Sequence, residues 1–453
     1  MHRKIKRNQL VFFFLIALII RGIFFFNIIE NRKVIFQPDS RMYTSLAEGI
    51  KQHGSLCYPD SPGKPDVERM PGYPIFLFLI LGLFGNNFLA VIIIQIIIDS
   101  LSCALVYCLG ERLWEGAGNL SALIACLNMG MITYSHFILS DSLFLFIFLL
   151  IILCLMTFLR EPNWQTAVAL GVGIGLAAYI RPVIIYFPFF LFPFIFLYIF
   201  IKEDAPFLSA VGKAALPVVV FIMIMSPWMI RNYKHYGNFK LTCQAGEHLL
   251  QYIVPFSWQY SRGIPFIEGM KKANGAFEKK ILEAGVDLQK ISPFEKSELM
   301  VAMALDYLKE EPKAAIIKSW MMGMAKNLFS PAIIDLSYLL NIERPHFFYS
   351  KGKTLFERGF NFIHSMPGFF GWTVVVSIAF LLLARLIQLY GLFINVRHNK
   401  WEGMVLLLLV TYFLFVSGPV GYAKYRLPFE PILIILMTIG IKSFPLLYKR
   451  RSL

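Results

Sequence analysis

The sequence is poor in charged residues and in cysteine, and both shortages restrict the kind of protein it can encode. Only 16% of its 453 residues are charged, whereas roughly 25% are charged in a typical soluble domain. Its six cysteines include no pair with C-x-x-C spacing, so neither a zinc site nor a thioredoxin-like redox motif is predicted. No G-x-x-x-x-G-K phosphate loop is present either. Nucleotide-dependent chemistry inside the cell is therefore not expected.

Apolar residues are abundant instead and make up 57% of the chain. Runs long enough to cross a bilayer recur, since about 20 apolar residues span the hydrocarbon core. The predicted spans are 9–29, 88–110, 118–137, 140–159, 166–181, 183–201, 211–230, 369–395, 402–418 and 427–446. The first is interpreted as an uncleaved span, because no small-residue cleavage site follows it. The sequence predicts an all-α polytopic membrane protein with about ten transmembrane helices.

The distribution of basic residues gives the orientation. The tails "HRKIKR" and "YKRR" and the turns "FLREP", "IKED" and "NVRHNK" fall on one side under a ten-span count, and basic loops mark the cytoplasmic side. The apolar stretch 73–84 is too short to cross comfortably, and an eleventh span would separate the two tails. These basic segments account for the net charge of +15 without a nucleic-acid partner. The predicted location is the plasma membrane, which is the inner membrane in a bacterium.

The ten-span prediction places the larger loops outside the cytoplasm. Residues 1–230 form a transmembrane module with the first outer loop at 30–87, residues 231–368 an outer domain, and residues 369–453 the C-terminal spans. The outer domain is predicted to be a small helical cap on the bundle. Within it, "SPFE" is a capping box, with Ser292 as N-cap and Glu295 closing it, and the helix should end near Glu311.

The first outer loop contains an amphipathic helix with charged residues beside it. Asp39, Tyr43, Leu46, Ala47 and Ile50 share one helical face. Further along, "DVERMPGYP" places Glu68 and Arg69 directly before the short apolar stretch. Asp39 alone could be a helix N-cap, but two acids and a base at the water–lipid boundary are more than an amphipathic anchor requires. The loop is therefore a candidate site.

These segments resemble the GT-C membrane glycosyltransferases, in the branch of the protein O-mannosyltransferases and the lipid A aminoarabinose transferase. The resemblance rests on "DSRMYTSLAEGI" and "ERMPGYP", followed in order by "LSDSLFLF", "YIRP", "PWMIRNYKHYGNF" and "GYAKYRLPFEP". It implies a GT-C-type bundle that transfers a sugar from a polyprenyl-phosphate donor to a hydroxyl of a glycan, lipid or protein outside the cytoplasm. The small outer domain lacks recognisable sugar-binding modules.

The resemblance and the chemistry together suggest roles. Asp39 is the candidate general base, with Glu68 supporting it or the acceptor. Candidates for binding the donor phosphate are Arg69, Arg181, Tyr422, Lys424 and Arg426. Tyr43 and Asp141 are candidate supporting residues. Alternatives remain: Arg181 and Arg426 at span ends could snorkel, Tyr422 could be an interface anchor, and Asp141 could cap its span. His235 is interpreted as a loop residue.

Two charges fall inside predicted spans. Arg21 and Asp99 lie at similar depth in antiparallel spans and are predicted to pair. A structural pair is favoured over a proton or ion relay, because no inverted repeat accompanies it. A transporter or lipid flippase is the alternative function, and a non-catalytic assembly protein is a third. No metal site is predicted and no cofactor is certain, although the two acids of the outer loop could hold a divalent cation.

Overall fold

The computed structural model describes residues 5–451, except residues 289, 344, 346, 348, 349 and 351–354. The N-terminal half contains α1 (Arg7–Glu30), α2 (Pro38–His53), α3 (Gly72–Phe84), α4 (Phe88–Leu113), α5 (Ala117–Cys126), α6 (Met129–Ser135), α7 (Asp141–Arg160), α8 (Trp164–Ile180), α9 (Phe187–Leu197) and α10 (Phe207–Tyr236). The remainder contains α11 (Gln244–Glu247), α12 (Val254–Ser261), α13 (Phe266–Glu283), α14 (Pro293–Glu310), α15 (Lys313–Phe329), α16 (Ile333–Leu339), α17 (Leu355–His364), α18 (Phe370–His398), α19 (Lys400–Val416), α20 (Ala423–Arg426) and α21 (Glu430–Arg451). No strand occurs in this described part, so the predicted all-α class is confirmed.

The chain is a multi-pass membrane protein by the length and composition of its helices. Within the described residues, seven segments can cross a bilayer: Arg7–Glu30, Phe88–Leu113, Asp141–Arg160, Pro182–Lys202, Phe207–Tyr236, Phe370–His398 and Ala423–Phe444. The predicted spans at 166–181 and 402–418 correspond to α8 and α19, which have 17 residues each. The ten-span count stays a prediction. Part of the basic N-terminal tail, residues 2–4, lies outside the described residues.

The predicted span 118–137 is not a single helix, because the chain breaks into α5 and α6 there. Asn128 begins the second piece: its side-chain oxygen accepts from the backbone N–H of Met131 at 3.0 Å. Its amide also donates to Glu430 at 3.1 Å. A residue that caps a helix terminates the preceding one, because its backbone leaves the helical conformation. The two helices still run along the bundle together. Gly116, just before α5, lies against Lys442 near the end of α21, and the carbonyl of Phe137, just after α6, accepts from Gln95 near the start of α4.

The mid-membrane pair predicted from sequence is present. Arg21 Nε donates to Asp99 Oδ2 at 2.5 Å, and both side chains are buried. The same guanidinium donates to the carbonyls of Ala17 and Cys126 and to Cys103 Sγ. The pair therefore joins α1 to α4, and Arg21 also binds the carbonyl of Cys126, the last residue of α5.

Residues 244–310 form a second, smaller helical core beyond the membrane bundle. It is built on Leu250, Val254, Trp258, Ala273, Phe277, Ile281, Met300, Met303 and Ala304. The predicted capping box is confirmed: Glu295 N–H donates to Ser292 Oγ at 3.1 Å, and Ser292 N–H donates to Glu295 Oε2 at 2.6 Å. The helix ends at Glu310, where the sequence predicted its end.

The apolar stretch 73–84 forms α3, whose 13 residues extend about 20 Å, short of the roughly 30 Å hydrocarbon thickness. We therefore expect Asn86, which is exposed just after α3, to face the outside. A cysteine at Asn86, in a variant without Cys57 and Cys243, should react with an impermeant thiol reagent on intact cells. A cysteine at Glu161 between α7 and α8 is the matched control and should react only after permeabilisation. The reverse pattern would overturn the ten-span topology.

Candidate active site

Asp39 lies in the first turn of α2 but does not cap it. The N-cap residue is Gln37, whose backbone N–H donates to Ser40 Oγ at 2.8 Å in a capping box. The interpretation of Asp39 as the N-cap is therefore wrong. Its carboxylate, about one-third exposed, instead lies 3.4 Å from Arg69 Nη2 and 3.6 Å from Lys424 Nζ. It is thus free of a helix-capping role and faces two cations.

The loop before α3 holds Glu68 and Arg69 at the start of α2. Asp66 fixes the turn, since its carboxylate accepts from the backbone N–H of Arg69 at 2.8 Å. Arg231 at the end of α10 donates to the carbonyl of Asp66 at 2.7 Å, which anchors the loop to the bundle. Arg69 Nη2 then lies 3.4 Å from Glu68 Oε1, the same distance as from Asp39. Burial raises the pKa of Glu68 above its usual range, an effect that Arg69 partly offsets.

Asp141 supplies a third carboxylate from the N-terminus of α7. It is buried, accepts from Arg181 at the end of α8, and lies 3.7 Å from Lys424 Nζ. Because Lys424 also faces Asp39, it bridges a buried carboxylate and a solvent-accessible one. The alternative that Asp141 caps this span is wrong, because the N-cap residue is Ser140 and Asp141 is the first residue of α7. A carboxylate at a helix N-terminus is nevertheless favoured by the helix dipole.

Six of the predicted residues therefore meet, and we call them the acid–base cluster: Asp39, Glu68, Arg69, Asp141, Arg181 and Lys424. They come from α2, the loop before α3, α7, the end of α8 and α20. Three carboxylates face three cations, so each positive charge has a negative partner. Tyr43 packs edge to face on Tyr73, with Arg69 5.9 Å from its ring centre, and supports the cluster from α2.

Tyr422 and Arg426 are not part of the acid–base cluster. The Tyr422 hydroxyl donates to the buried Asp335, which also accepts from Tyr134 at 2.7 Å. Arg426 pairs with Glu430 and donates to the carbonyls of residues 327, 328 and 330. Both residues hold the segment that presents Lys424. The prediction that they bind phosphate directly would require them to leave these partners.

Sequence reasoning missed the residues that approach the cluster from the second core. They lie in or next to the π-helical stretch His248–Ile253, which is part of the second core. The charge of Glu247 adds to the effect of burial in raising the pKa of Glu68. Burial raises the pKa of Tyr252, and Asp39 raises it further whereas Arg69 lowers it. Burial and the neighbouring Arg69 lower the pKa of His248. π-Helical turns occur frequently at functional sites, but their sequences carry no simple signal.

Within the described residues, no three His, Cys, Asp or Glu side chains gather as ligands for a metal ion. A groove lies elsewhere, between Ile50, Pro65, Ile75, Trp228 and His235. His235, predicted in a loop, belongs to the last turn of α10. The groove contains no member of the acid–base cluster, so we place the chemistry at the charged residues.

Part of the chain is similar to a known protein family. Residues 64–230 match the family described as dolichyl-phosphate-mannose-protein mannosyltransferase. This part of the chain is similar to a domain of that family. The match includes Glu68, Arg69, Asp141 and Arg181, whereas Asp39 and Lys424 lie outside the matched residues. The sequence matches no curated protein.

Solved structures extend the likeness to the whole fold. The archaeal oligosaccharyltransferase AglB from Archaeoglobus fulgidus, in complex with an inhibitory peptide and a dolichol-phosphate, has 14% identity and a TM-score of 0.50 over 98% of this chain. The oligosaccharyltransferase of the same organism, tethered to an acceptor peptide, has 14% identity and a TM-score of 0.52 over 99% of this chain. This chain spans about half of the length of each of these two proteins, 51%. ArnT from Cupriavidus metallidurans, bound to undecaprenyl phosphate, has 15% identity and a TM-score of 0.39. The match covers 96% of this chain and 78% of the ArnT chain. The fold is of the GT-C type.

Proposed function

We propose that the protein transfers a sugar from a polyprenyl-phosphate-linked donor to a hydroxyl acceptor at the outer face of the membrane, which in a bacterium is the inner membrane. The observation that carries the proposal is the position of Asp39. Its carboxylate has no capping role, is accessible to solvent, and lies between Arg69 and Lys424 in a site with the fold and family domain of glycosyltransferases. A similar solved structure contains a dolichol-phosphate, which supports a lipid-linked donor, and another is tethered to an acceptor peptide.

The base is needed because a neutral hydroxyl is a poor nucleophile. A carboxylate within hydrogen-bond reach takes the proton as the acceptor oxygen forms its bond to the anomeric carbon. Asp39 is placed for this, because it is the more exposed of the two carboxylates that face Lys424. Glu68, on the other side of Arg69, is placed to orient the acceptor hydroxyl or Asp39.

The leaving group needs cations rather than an acid. A sugar phosphodiester carries one negative charge, and the polyprenyl phosphate that leaves gains another as the glycosidic bond breaks. It departs as a stable anion, so it needs no carboxylic acid of the kind glycosidases use. Arg69, Arg181 and Lys424 are placed to stabilise the developing charge, which is the usual role of preorganised cations at phosphate. The acceptor class, whether glycan, lipid or protein, is left to experiment.

The test is transfer from a radiolabelled polyprenyl-phosphate sugar in membranes that contain the protein, compared with membranes that lack it. The first acceptor fraction is the cell-envelope material that a deletion strain fails to glycosylate, identified by mass spectrometry. Protein-dependent transfer supports the proposal. Movement of an unaltered labelled lipid or solute across sealed vesicles, without transfer, would favour the transporter alternative instead.

Arg69→Lys should separate charge from geometry at this site. Lysine keeps the positive charge but loses the planar fork that lets arginine contact two oxygen atoms at once. Because Arg69 Nη2 faces both Asp39 and Glu68, we expect the KM for the donor to rise and the maximal rate to fall. The size should be about tenfold in kcat/KM, the worth of roughly one charge-assisted hydrogen bond. The control is Arg41→Lys on α2, which has no acidic partner within ion-pair distance among the described residues and should transfer normally.

A further inference from the structure

The two cations that face Asp39 hold it loosely. Its carboxylate is about one-third exposed and lies 3.4 Å from Arg69 Nη2 and 3.6 Å from Lys424 Nζ. Charge-assisted hydrogen bonds are usually about 2.7–2.9 Å long, and ion pairs that are open to water are weak. A general base must nevertheless stay within hydrogen-bond reach of the proton that it removes. The position of Asp39 therefore has to come from its backbone, at the start of α2.

The next residue, Ser40, fixes the start of α2 through its hydroxyl. The hydroxyl oxygen accepts from the backbone N–H of Gln37 at 2.8 Å, and the hydroxyl donates to the backbone carbonyl of Ile138 at 2.8 Å. Ser40 is fully buried, so neither bond is exposed to water. A further bond lies beside them, since the N–H of Ile138 donates to the carbonyl of Ile35 at 2.9 Å. The start of α2 is thus joined to the peptide groups of Ile138.

The turn between α6 and α7, residues 136–140, is held in place without α2. Gln95, buried on α4, donates to the carbonyl of Phe137 at 2.6 Å. Asp141 follows the turn as the first residue of α7, and its own ion pair with the end of α8 holds it in the bundle. Ile138 therefore belongs to a fixed support, against which the start of α2 is placed.

A short connection sets the distance between two carboxylates of the acid–base cluster. From Ser40, the residue after Asp39, it crosses the hydrogen bond to Ile138. Two further residues lead from there to Asp141. Both carboxylates face Lys424 Nζ, at 3.6 and 3.7 Å. Without the hydroxyl of Ser40, Asp141 would keep its own support, whereas α2 would lose a contact at the residue next to Asp39.

We propose that Ser40 is a positioning residue, which holds Asp39 in place for the reaction through the hydrogen bond to the Ile138 carbonyl. The inference rests on the proposed function for the role of Asp39 as the base. Because Ser40 is fully buried, it acts on the substrates only through Asp39. A misplacement of about 1 Å at a reacting group can lower a rate about 100-fold, so the position of the base matters as well as its charge.

Ser40→Ala removes both hydrogen bonds of the hydroxyl and leaves the side chain of Asp39 unchanged. Transfer from a radiolabelled polyprenyl-phosphate sugar should fall about tenfold to hundredfold per folded molecule. The fall should be in kcat rather than in the KM for the donor, because the cations of the cluster keep their charge. The folded fraction is measured by size-exclusion chromatography in detergent. Ser45→Ala, the same change at a half-buried residue of the same helix, is the control and should transfer normally. Normal transfer by Ser40→Ala overturns the proposal.

A double-mutant cycle distinguishes positioning from a general structural role. Residues that act as a unit have non-additive effects on the rate. In the Asp39→Asn background, Ser40→Ala should lower the residual transfer by less than about twofold, since the base that it positions is already lost. An equal fall in both backgrounds would show a general structural role and overturn the proposal. Ser40→Cys, whose thiol is a weaker donor and acceptor, serves for the same cycle where Ser40→Ala gives too little folded protein.

Hydrogen exchange of the full-length protein in nanodiscs gives a readout that needs no substrate. In Ser40→Ala the amides at the start of α2 should exchange faster than in the wild type and in Ser45→Ala, because the N–H of Gln37 loses its acceptor. The turn 136–140 should exchange as before. Unchanged exchange at the start of α2 overturns the proposal whether or not sugar is transferred. The expected exchange without any transfer by the wild type would support the bond to Ile138 and contradict the proposed function alone.

Discussion

Asp39→Asn should lower sugar transfer by about 10²–10⁴-fold, the range typical of losing a general base. Asparagine keeps the size and shape of the side chain, and the helix cap is unaffected because Gln37 provides it. Folding and membrane insertion should therefore be normal. The charge that is lost faces Arg69 and Lys424, so an anionic donor should bind at least as tightly as before. The expected signature is a large fall in kcat without a rise in the KM for the donor.

The measurement is initial rate against concentration of a polyprenyl-phosphate sugar, at matched protein levels in membranes. Asp60→Asn is the control, since it makes the same chemical change at an exposed position of the loop between α2 and α3. Near-normal transfer by Asp39→Asn would remove Asp39 from the role of base. The carboxylate on the other side of Arg69, Glu68, would then be the candidate to test by Glu68→Gln.

Much of the acid–base cluster could be predicted because its residues lie in short motifs with a recognisable order. Glu68 and Arg69 are adjacent in sequence, and Asp39, Asp141, Arg181 and Lys424 each lie at the end of an apolar segment. The ends of spans on one side of a membrane come together when the bundle folds. The ordered resemblance therefore brought distant residues to one place without knowledge of individual contacts.

The partners of Tyr422 and Arg426 illustrate what was missed. Asp335, which accepts from Tyr422, is 87 residues away in a segment with no distinguishing motif, and only tertiary packing joins them. Glu430 was within reach of sequence reasoning, since it stands four residues after Arg426 and such pairs meet on a helix. The family resemblance assigns both residues to phosphate, whereas the spacing of four residues pairs Arg426 with Glu430.

Helix breaks and caps were the other source of error. The stretch 118–137 is apolar enough to be a continuous span, but Asn128 has two partners, Met131 N–H and Glu430, that a regular helix would not allow it. Asp39 is a better N-cap than glutamine by intrinsic preference. The chain nevertheless begins α2 two residues earlier, where Ser40 can bond back to Gln37. In both places a specific tertiary or local hydrogen bond outweighed the general propensity.

Removing one member of the mid-membrane pair should have the largest effect on folding. Arg21 and Asp99 are both fully buried, so Asp99→Ala leaves a guanidinium in an apolar interior with only carbonyl and thiol partners. Breaking a buried pair in this way costs about 3–5 kcal/mol. The expected result is a strong loss of folded protein and a lower melting temperature in detergent. Ser100→Ala is the matched control: Ser100 is equally buried on α4, and its hydroxyl donates to the carbonyl of Ile96 in its own helix.

A double variant decides whether the pair is structural. Replacing both residues by apolar ones, Arg21→Met with Asp99→Leu, removes both charges, and such replacements are often neutral or stabilising. The exchanged pair, Arg21→Asp with Asp99→Arg, should likewise recover part of the yield. If the pair is structural, the double apolar variant should recover folded protein and transfer sugar at a near-normal rate per folded molecule. Recovery of folding without recovery of transfer would contradict the structural interpretation. It would assign the pair a role in turnover, such as moving a charge through the membrane, as in the transporter alternative.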